Sequence, residues 1–346
     1  MPIIKAEKLR KLCIASFVAA GVSREEAEIV IDNIVRTNLR GVDSHGVRNV
    51  PRYIQAVKDG EIVPGASITV LRETPTTAMW DLNNAFGFVA GKKAMETAIK
   101  KAEEHKFGAV GTYNSKAGDD HIGALYYYAE LAVHKDMIGF VTHTNRPLMA
   151  AWGGASRILN INPVSVAVPA GEFPPIILDM SLSPAAVGHL DVMRKRGEPI
   201  PEGWILDKEG KPTTDPNAFF DGGTFLPIAT YKGYGLSVVL EAINGALGSG
   251  CSHDRVSRGH LYAAIDPSGF VPIEEFKARV DSFIRHLKAS PTVPGVEEVF
   301  VPGEIENRTM EKRLREGIPV DDVFWQPLLG KARELGVDPQ KVMEED

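Results

Sequence analysis

Between Arg40 and Tyr53 the chain reads RGVDSHGVRNVPRY, a stretch that sets an Asp43, Ser44, His45, Gly46 turn among Arg40, Arg48 and Arg52. Histidine has an unperturbed pKa near 6.5, so it can give or take a proton close to neutral pH. Arginine presents a planar fork that pairs with both oxygens of a carboxylate. Together these groups supply what reduction of a 2-oxo acid requires, a proton for the oxygen and a clamp for the carboxylate. The same residue types also fit a plainer arrangement in which His45 caps a loop and the arginines are solvated. A carboxylate such as Asp43, if it contacts the ring, would raise the His45 pKa and favour the acid form.

Hydride transfer calls for a dinucleotide site, which a GxGxxG turn after a strand usually announces. The sequence has none: Gly233 and Gly235 in KGYGLS lack the third glycine, and Gly245, Gly248 and Gly250 fall at the end of a predicted helix. A helix start with free N–H groups and a nearby lysine is another way to hold a pyrophosphate. Two stretches meet that description. One is ILDMSLSP, Ile177 to Pro184, where a strand runs out through Ser181 and Ser183; the other is TYKGYGL, Thr230 to Leu236, with Lys232 among its glycines. The segment DDHIG, Asp119 to Gly123, reads either as metal ligands or as a helix start capped by Asp119 or Asp120, and no HExxH accompanies it. His143 and His189 stand near predicted strand ends, where sites tend to form.

The elements that position these groups follow from periodicity. Ser23 and Glu26 form a capping-box pair, and Ala27, Val30, Ile31, Ile34, Val35 and Asn38 follow at helical spacing until Gly41. The RGVDSHG turn therefore comes directly after a helix. A further helix carries Val50, Ile54 and Val57 to a stop at Gly60, with Pro51 in its first turn, which brings Arg48 and Arg52 close to His45. From Ser67 onward the pattern is mixed: strands at 67–71, 78–81, 108–113, 138–143, 164–168 and 176–180, with helices at 88–104 and 121–134 between some of them. That alternation predicts an α/β sheet covered by helices. Pro and Gly punctuate 197–221 as a surface loop; then follow a helix over 235–247 with a buried face through Leu236, Val239, Leu240, Ile243 and Leu247, a strand over 260–265, and an amphipathic helix through Phe276, Val280, Phe283 and Leu287.

Composition bounds the partners. The 346 residues are 44% apolar and 24% charged, an ordinary globular balance, and the net charge of −6 argues against a general nucleic-acid binder. Cys13 and Cys251 are too few for a disulfide framework or a four-cysteine zinc site and fit reducing surroundings. Lys5, Lys8, Arg10 and Lys11 precede an apolar run from Leu12 to Val22 that could pass for a secretory signal. However, Leu9, Leu12, Cys13 and Phe17 share one face of a helix ended by Gly21, so a docked helix and a cytoplasmic protein are expected. No apolar run reaches the roughly 18 residues needed to span a bilayer, and no membrane partner is expected.

Seven stretches occur together and in order: RGVDSHGVRNVPRY, WGG at Trp152 to Gly154, NPVSVAVP at Asn162 to Pro169, LDMSLS at Leu178 to Ser183, GKPTTDP at Gly210 to Pro216, YKGYGLSVVLE at Tyr231 to Glu241, and PGE at Pro302 to Glu304. The set resembles the malate/L-lactate dehydrogenase family, the non-Rossmann group that also includes ureidoglycolate dehydrogenase, sulfolactate dehydrogenase, diketogulonate reductase and cyclic imino acid reductases. The resemblance implies a sulfolactate dehydrogenase-like α/β fold with helices around a mostly β central sheet. It implies one unit over 1–346, with lobes at 1–65 plus 290–346, mainly helical, and at 66–289, the cofactor-binding part. It further implies a homodimer that uses NAD or NADP on a small carboxylate substrate.

Carried onto this sequence, the catalytic histidine falls on His45 with Ser44 beside it. Substrate contacts fall on Arg48, with Arg52 in reserve, and on His121. Cofactor contacts fall on Leu178, Asp179, Met180, Ser181, Leu182 and Ser183, on Tyr231 and Lys232, and on Gly303, Glu304 and Ile305. Asp179, if it lies beside the adenosine, would favour a free ribose hydroxyl over a phosphate. Two departures bear on the substrate: Asp120 stands where the family usually has Asn, and His189 forms a GH pair where many relatives read GK. The reaction expected is hydride transfer between NAD(P)H and a 2-oxo or 2-hydroxy acid such as malate or lactate. Reduction of a cyclic C=N bond, or metal-dependent hydrolysis through Asp119, Asp120, His121 and His45, are the alternatives.

Overall fold

Ser23 begins the helix Arg24–Leu39 by accepting the Glu26 N–H, the cap that its spacing predicts. The computed structural model describes residues 1–115, 121–248 and 259–344. The N-terminal helix Ala6–Ala19 packs against Arg24–Leu39 and buries Leu9, Leu12, Cys13 and Phe17 completely. Each large apolar side chain buried this way is worth about 1.5–3 kcal/mol relative to exposure. The run that could have been a signal segment is thus part of a core. Val50–Lys58 follows with Pro51 in its first turn, where the missing N–H costs nothing. The C-terminal helices Asp322–Glu334 and Pro339–Glu344 close this helical core through Trp325, Leu328, Leu329 and Ala332. A two-residue ribbon, Ile3–Ile4 on Ile318–Pro319, ties the two ends of the chain together.

The second core lies on a seven-stranded mixed sheet. Its spatial order is Thr69–Glu73, Thr77–Asp81, Phe107–Tyr113, Gly259–Ile265, Ile138–Thr144, Val164–Val168 and Ile176–Met180. Thr77–Asp81 and Phe107–Tyr113 pair in parallel and the other neighbours are antiparallel. Helices Gly87–His105 and Tyr126–Val133 cover one face through Ala94, Ala98, Tyr128 and Ala129 on Val110, Val141 and Tyr262. They sit very close to it. A Cβ on Gly108 would stand 1.9 Å from the Ala98 carbonyl oxygen, and one on Gly139 2.1 Å from that of Ala129, so both strands need glycine there.

The architecture is the α/β arrangement expected, with three local differences. The helix predicted from His121 starts only at Tyr126, because residues 121–124 turn toward the site described below. The stretch 197–221 is more than a loop: Ile205–Leu206 pairs with Pro212–Thr213 and with Thr224–Phe225 in a small sheet, and Asn217–Phe220 is helical. The helix Tyr231–Leu247 starts four residues early and does not bury its apolar face. Leu240 is buried against the sheet, yet Leu236, Val239 and Leu247 are 43%, 53% and 50% exposed.

Candidate functional site

The turn after Arg24–Leu39 is pinned from its own helix. Asn38 donates to Asp43 Oδ1 at 2.6 Å and accepts the Val47 N–H at 2.8 Å. Gly46 has to be glycine, since a Cβ would lie 2.2 Å from the Asn38 side chain. Asn49 donates to the Ser44 and Gly46 carbonyls at 3.0 and 3.3 Å. These contacts fold Asp43–His45 into one 3₁₀ turn and present Ser44 and His45 side by side. Ser44 Oγ then lies 2.9 Å from His45 Nδ1.

Asp43 does not reach the ring. Its carboxylate is taken by Asn38 and by Arg313, whose Nη1 and Nη2 stand 2.6 and 2.9 Å from its two oxygens. The expected upward push on His45 is therefore absent. Burial, followed by the positive charges of Arg48 and Arg52, drives the His45 pKa down from 6.5 to about 4. His45 is neutral in this state of the site.

His121 stacks on His45 with ring centroids 5.0 Å apart. Its Nδ1 is shared by the Tyr53 hydroxyl and the Gly123 N–H. Arg48 reaches across to the helix Val187–Arg196, giving Nη1–H to the Gly188 carbonyl at 2.8 Å and Nη2–H to Asp191 at 2.9 Å. Its guanidinium also lies 4.1 Å over the Phe324 ring. Asp191 is a hub that takes Arg194 and Lys195 as well, at 2.7 and 2.9 Å. Arg52 stands 5.2 Å over Tyr53, on the same side of His45 as Arg48 in the chain.

A cavity of about 660 Å³ joins these groups. Ser44, His45, Arg48, Arg52 and His121 line it, and so do Asp179, Met180 and Ser181 from the end of strand Ile176–Met180. Asp179 accepts the Tyr126 N–H at 2.8 Å and so caps the helix Tyr126–Val133. Burial pushes its carboxyl up to about 7, against the lowering effect of the Tyr126 and Leu125 N–H groups and Arg40. Glu306 brings a second carboxyl to the same wall.

The remaining cofactor candidates sit around this wall rather than in it. The Leu178 carbonyl accepts Ser165 Oγ, Leu182 is fully buried beneath, and Ser183 is nearly so, with its hydroxyl on the Ala185 carbonyl. The Leu182 carbonyl accepts the Ile228 N–H at 2.9 Å, which lays the 178–183 turn beside the start of Tyr231–Leu247. Just before that helix Ala229 and Thr230 both have positive φ, 46° and 57°, a conformation non-glycine residues rarely hold without a local reason. Tyr231 and Lys232 are exposed and do not line the cavity. Gly303 packs on Ile177, Glu304 is ion-paired with Lys288 and Arg308, and Ile305 is exposed.

The site also draws on residues that spacing did not reveal: Tyr53, through its hydroxyl on His121, and Asp191 and Glu306 are brought in by the tertiary fold. His143, marked in the sequence by its place near a strand end, lines the cavity beside His260. His189 is exposed against Trp204 and does not line the cavity, so its departure from the family pattern falls outside the cavity wall. Asp119 and Asp120 lie outside the described residues. Among the described residues no group of three or more His, Cys, Asp or Glu is placed to hold a metal ion.

Three comparisons match this arrangement. The family model described as malate/L-lactate dehydrogenase matches residues 4–329. The chain is 39% identical to L-sulfolactate dehydrogenase of Methanocaldococcus jannaschii over 99% of its own length and 100% of that protein. It is 36% identical to malate dehydrogenase of Pyrococcus horikoshii over 97% and 96%. The solved structure of the Methanocaldococcus jannaschii sulfolactate dehydrogenase superposes with a TM-score of 0.88 at 37% identity, covering 99% of this chain and 100% of that one.

Proposed function

The chain belongs to the malate/L-lactate dehydrogenase family, and on that footing we propose that His45 moves the proton, Ser44 orients it, and Arg48 and Arg52 hold the carboxylate of a small acid such as malate or lactate. The protein is a dehydrogenase of 2-hydroxy acids that uses a nicotinamide cofactor. When bound, that cofactor supplies the hydride to the carbonyl carbon, or takes it back in oxidation. The rest of the chemistry belongs to side chains of this chain. The observation that carries the assignment is the Ser44 Oγ to His45 Nδ1 contact at 2.9 Å, in a wall that also holds Arg48 and Arg52. With Nδ1 engaged, Nε2 meets the substrate oxygen: as N–H it gives the proton in reduction, and as a lone pair it takes the proton in oxidation.

The depressed His45 pKa gives this assignment a pH signature. In the free enzyme the two arginines and burial oppose a charge on the ring. The carboxylate of an arriving 2-oxo acid offsets the arginines, so proton uptake by His45 is coupled to binding. Oxidation needs neutral His45, and its kcat/KM stays level above about pH 5. Reduction needs the protonated ring, and its kcat/KM falls about tenfold per unit from near pH 5 through neutrality. Initial rates in both directions from about pH 4.5 to about pH 8.5, starting just above the lowered His45 value and passing the ordinary histidine value near 6.5, check this. A reduction profile level up to about 6.5 would mean that the proton donor is an unperturbed histidine and would contradict the lowered pKa of His45.

We assign the cofactor, NAD or NADP, to the turn Leu178 to Ser183 with Tyr231, Lys232 and Gly303 to Ile305. A cavity of about 660 Å³ that runs from Ser44 to Ser181 supports room for a nicotinamide beside a small acid. The helical core and the sheet core are read as two lobes of one unit. The exposed apolar side chains of Tyr231–Leu247, Leu236, Val239 and Leu247, support a homodimer in which a second copy covers this face. Light scattering should give twice the 37.6 kDa of one chain, and Val239→Asp should shift the mass toward the monomer. A monomeric parent protein would remove the dimer. We further infer a cytoplasmic enzyme without nucleic-acid or membrane partners, a reading that rests on the net charge of −6 and on the two cysteines of the sequence; among the described residues no helix is long and apolar enough to cross a membrane.

A further inference from the structure

His143 and His260 are cross-strand partners on the face of the sheet that carries the cavity. Their rings stack with centroids 4.8 Å apart and planes within 6°. Thr112 is the partner of His260 on its other side and puts Oγ1 3.0 Å from His260 Nδ1. The remaining nitrogens are unusual: His260 Nε2 and His143 Nδ1 are both sealed from solvent with no hydrogen-bond partner among the described residues. Burial holds both rings well below the ordinary histidine value, His143 at about 4, so each is neutral and carries a single N–H.

Where that N–H sits follows from what is unpaired. A buried N–H without an acceptor is rarer and costlier than a lone pair without a donor. His260 therefore keeps its proton on Nδ1, directed at Thr112 Oγ1. His143 keeps its proton on Nε2, because Nδ1 is sealed and empty. Nε2 is also the nitrogen of His143 that is not sealed, and the ring lines the cavity. His121 reaches the same tautomer by another route: the Gly123 N–H can only donate, so His121 Nδ1 is an acceptor and its proton is on Nε2.

The order of these rings along the wall gives them a target. His45 stacks on His121, and His143 lines the same cavity as both. A 2-oxo acid with its carboxylate at Arg48 and Arg52 and its oxygen at His45 extends its C3 substituent past His121. We infer that His143, with His121 beside it, donates N–H hydrogen bonds to an anionic oxygen group on C3 of the substrate, and so selects 2-oxo acids bearing a second carboxylate or a sulfonate over those ending in a methyl group. This rests on the 2-oxo acid assignment above.

His143→Phe keeps the ring and removes the donor. With cofactor saturating, KM for oxaloacetate and for sulfopyruvate should rise about 10- to 100-fold, the loss of one hydrogen bond to a charged group. Pyruvate kinetics and the cofactor KM should be unchanged, and the retained pyruvate rate shows that the variant is folded. His143→Gln, which returns an amide N–H near the lost Nε2, should recover part of the difference. An equal loss for all three acids, a change confined to the cofactor KM, or no change would each overturn the inference. Parent enzyme that reduces pyruvate as efficiently as the two dianions would also overturn it while leaving the dehydrogenase assignment intact. Parent enzyme that reduces none of the three would remove both.

Discussion

His45→Ala is expected to cost the enzyme about 10²- to 10⁴-fold in kcat, the usual worth of a positioned acid–base group, while NADH or NADPH binding followed by fluorescence changes little. The separation follows from where the ring sits. His45 belongs to a 3₁₀ turn held by Asn38 and Asn49 through main-chain and Asp43 contacts, none of which uses the imidazole. Removing the ring leaves that scaffold in place. It also leaves the 178–183 turn untouched. Among the described residues the side chain is held by Ser44, which engages Nδ1, and by His121, which stacks on its plane. A variant with parent-like rates would show that the proton comes from elsewhere, and His121, 5.0 Å away, would be the next group to test.

Arg48→Lys is expected to raise KM for the 2-oxo acid by about 10- to 100-fold, a loss of one or more hydrogen bonds to a charged group. Lysine keeps the charge but not the fork. Arg48 already spends Nη1 on the Gly188 carbonyl and Nη2 on Asp191, and its face on Phe324. These contacts fix the plane of the guanidinium, and its other N–H groups are what remain for a substrate carboxylate. An ammonium cannot bridge Gly188 and Asp191, stack on Phe324 and still present paired donors. kcat should move less than KM, since the carboxylate is held equally before and during hydride transfer. Steady-state kinetics decide the matter: an unchanged KM would move the clamp to Arg52.

Much of this was legible from local pattern. Val164–Val168 and Ile176–Met180 run as strands over the residues their β-branched and apolar runs mark, and Ser23 with Glu26 fixed where the second helix begins. Ser44, His45 and Arg48 are close in sequence, so their proximity needed no tertiary information. What failed was long-range. Asp43 stands beside His45 in the chain, yet Arg313, 270 residues away, takes its carboxylate, and burial with Arg48 and Arg52 lowers the pKa of the ring instead of raising it. Asp191 is 143 residues from the arginine it orients. The apolar stripe of Tyr231–Leu247 looked like a buried face because hydrophobicity says that a surface must be covered, not by what. The His143–His260 stack depends on the register of two strands more than a hundred residues apart, which neither strand's own pattern encodes.

The central claim is tested most directly by following the absorbance of NADH and of NADPH in turn with oxaloacetate, sulfopyruvate and pyruvate, for the parent protein and His45→Ala side by side. Oxidation of at least one cofactor by at least one of these acids, lost in the variant and reversed with the matching 2-hydroxy acid, is the predicted result. A parent protein that oxidises neither cofactor with any of them, or that does so only with a cyclic imino acid such as piperideine carboxylate, would contradict it.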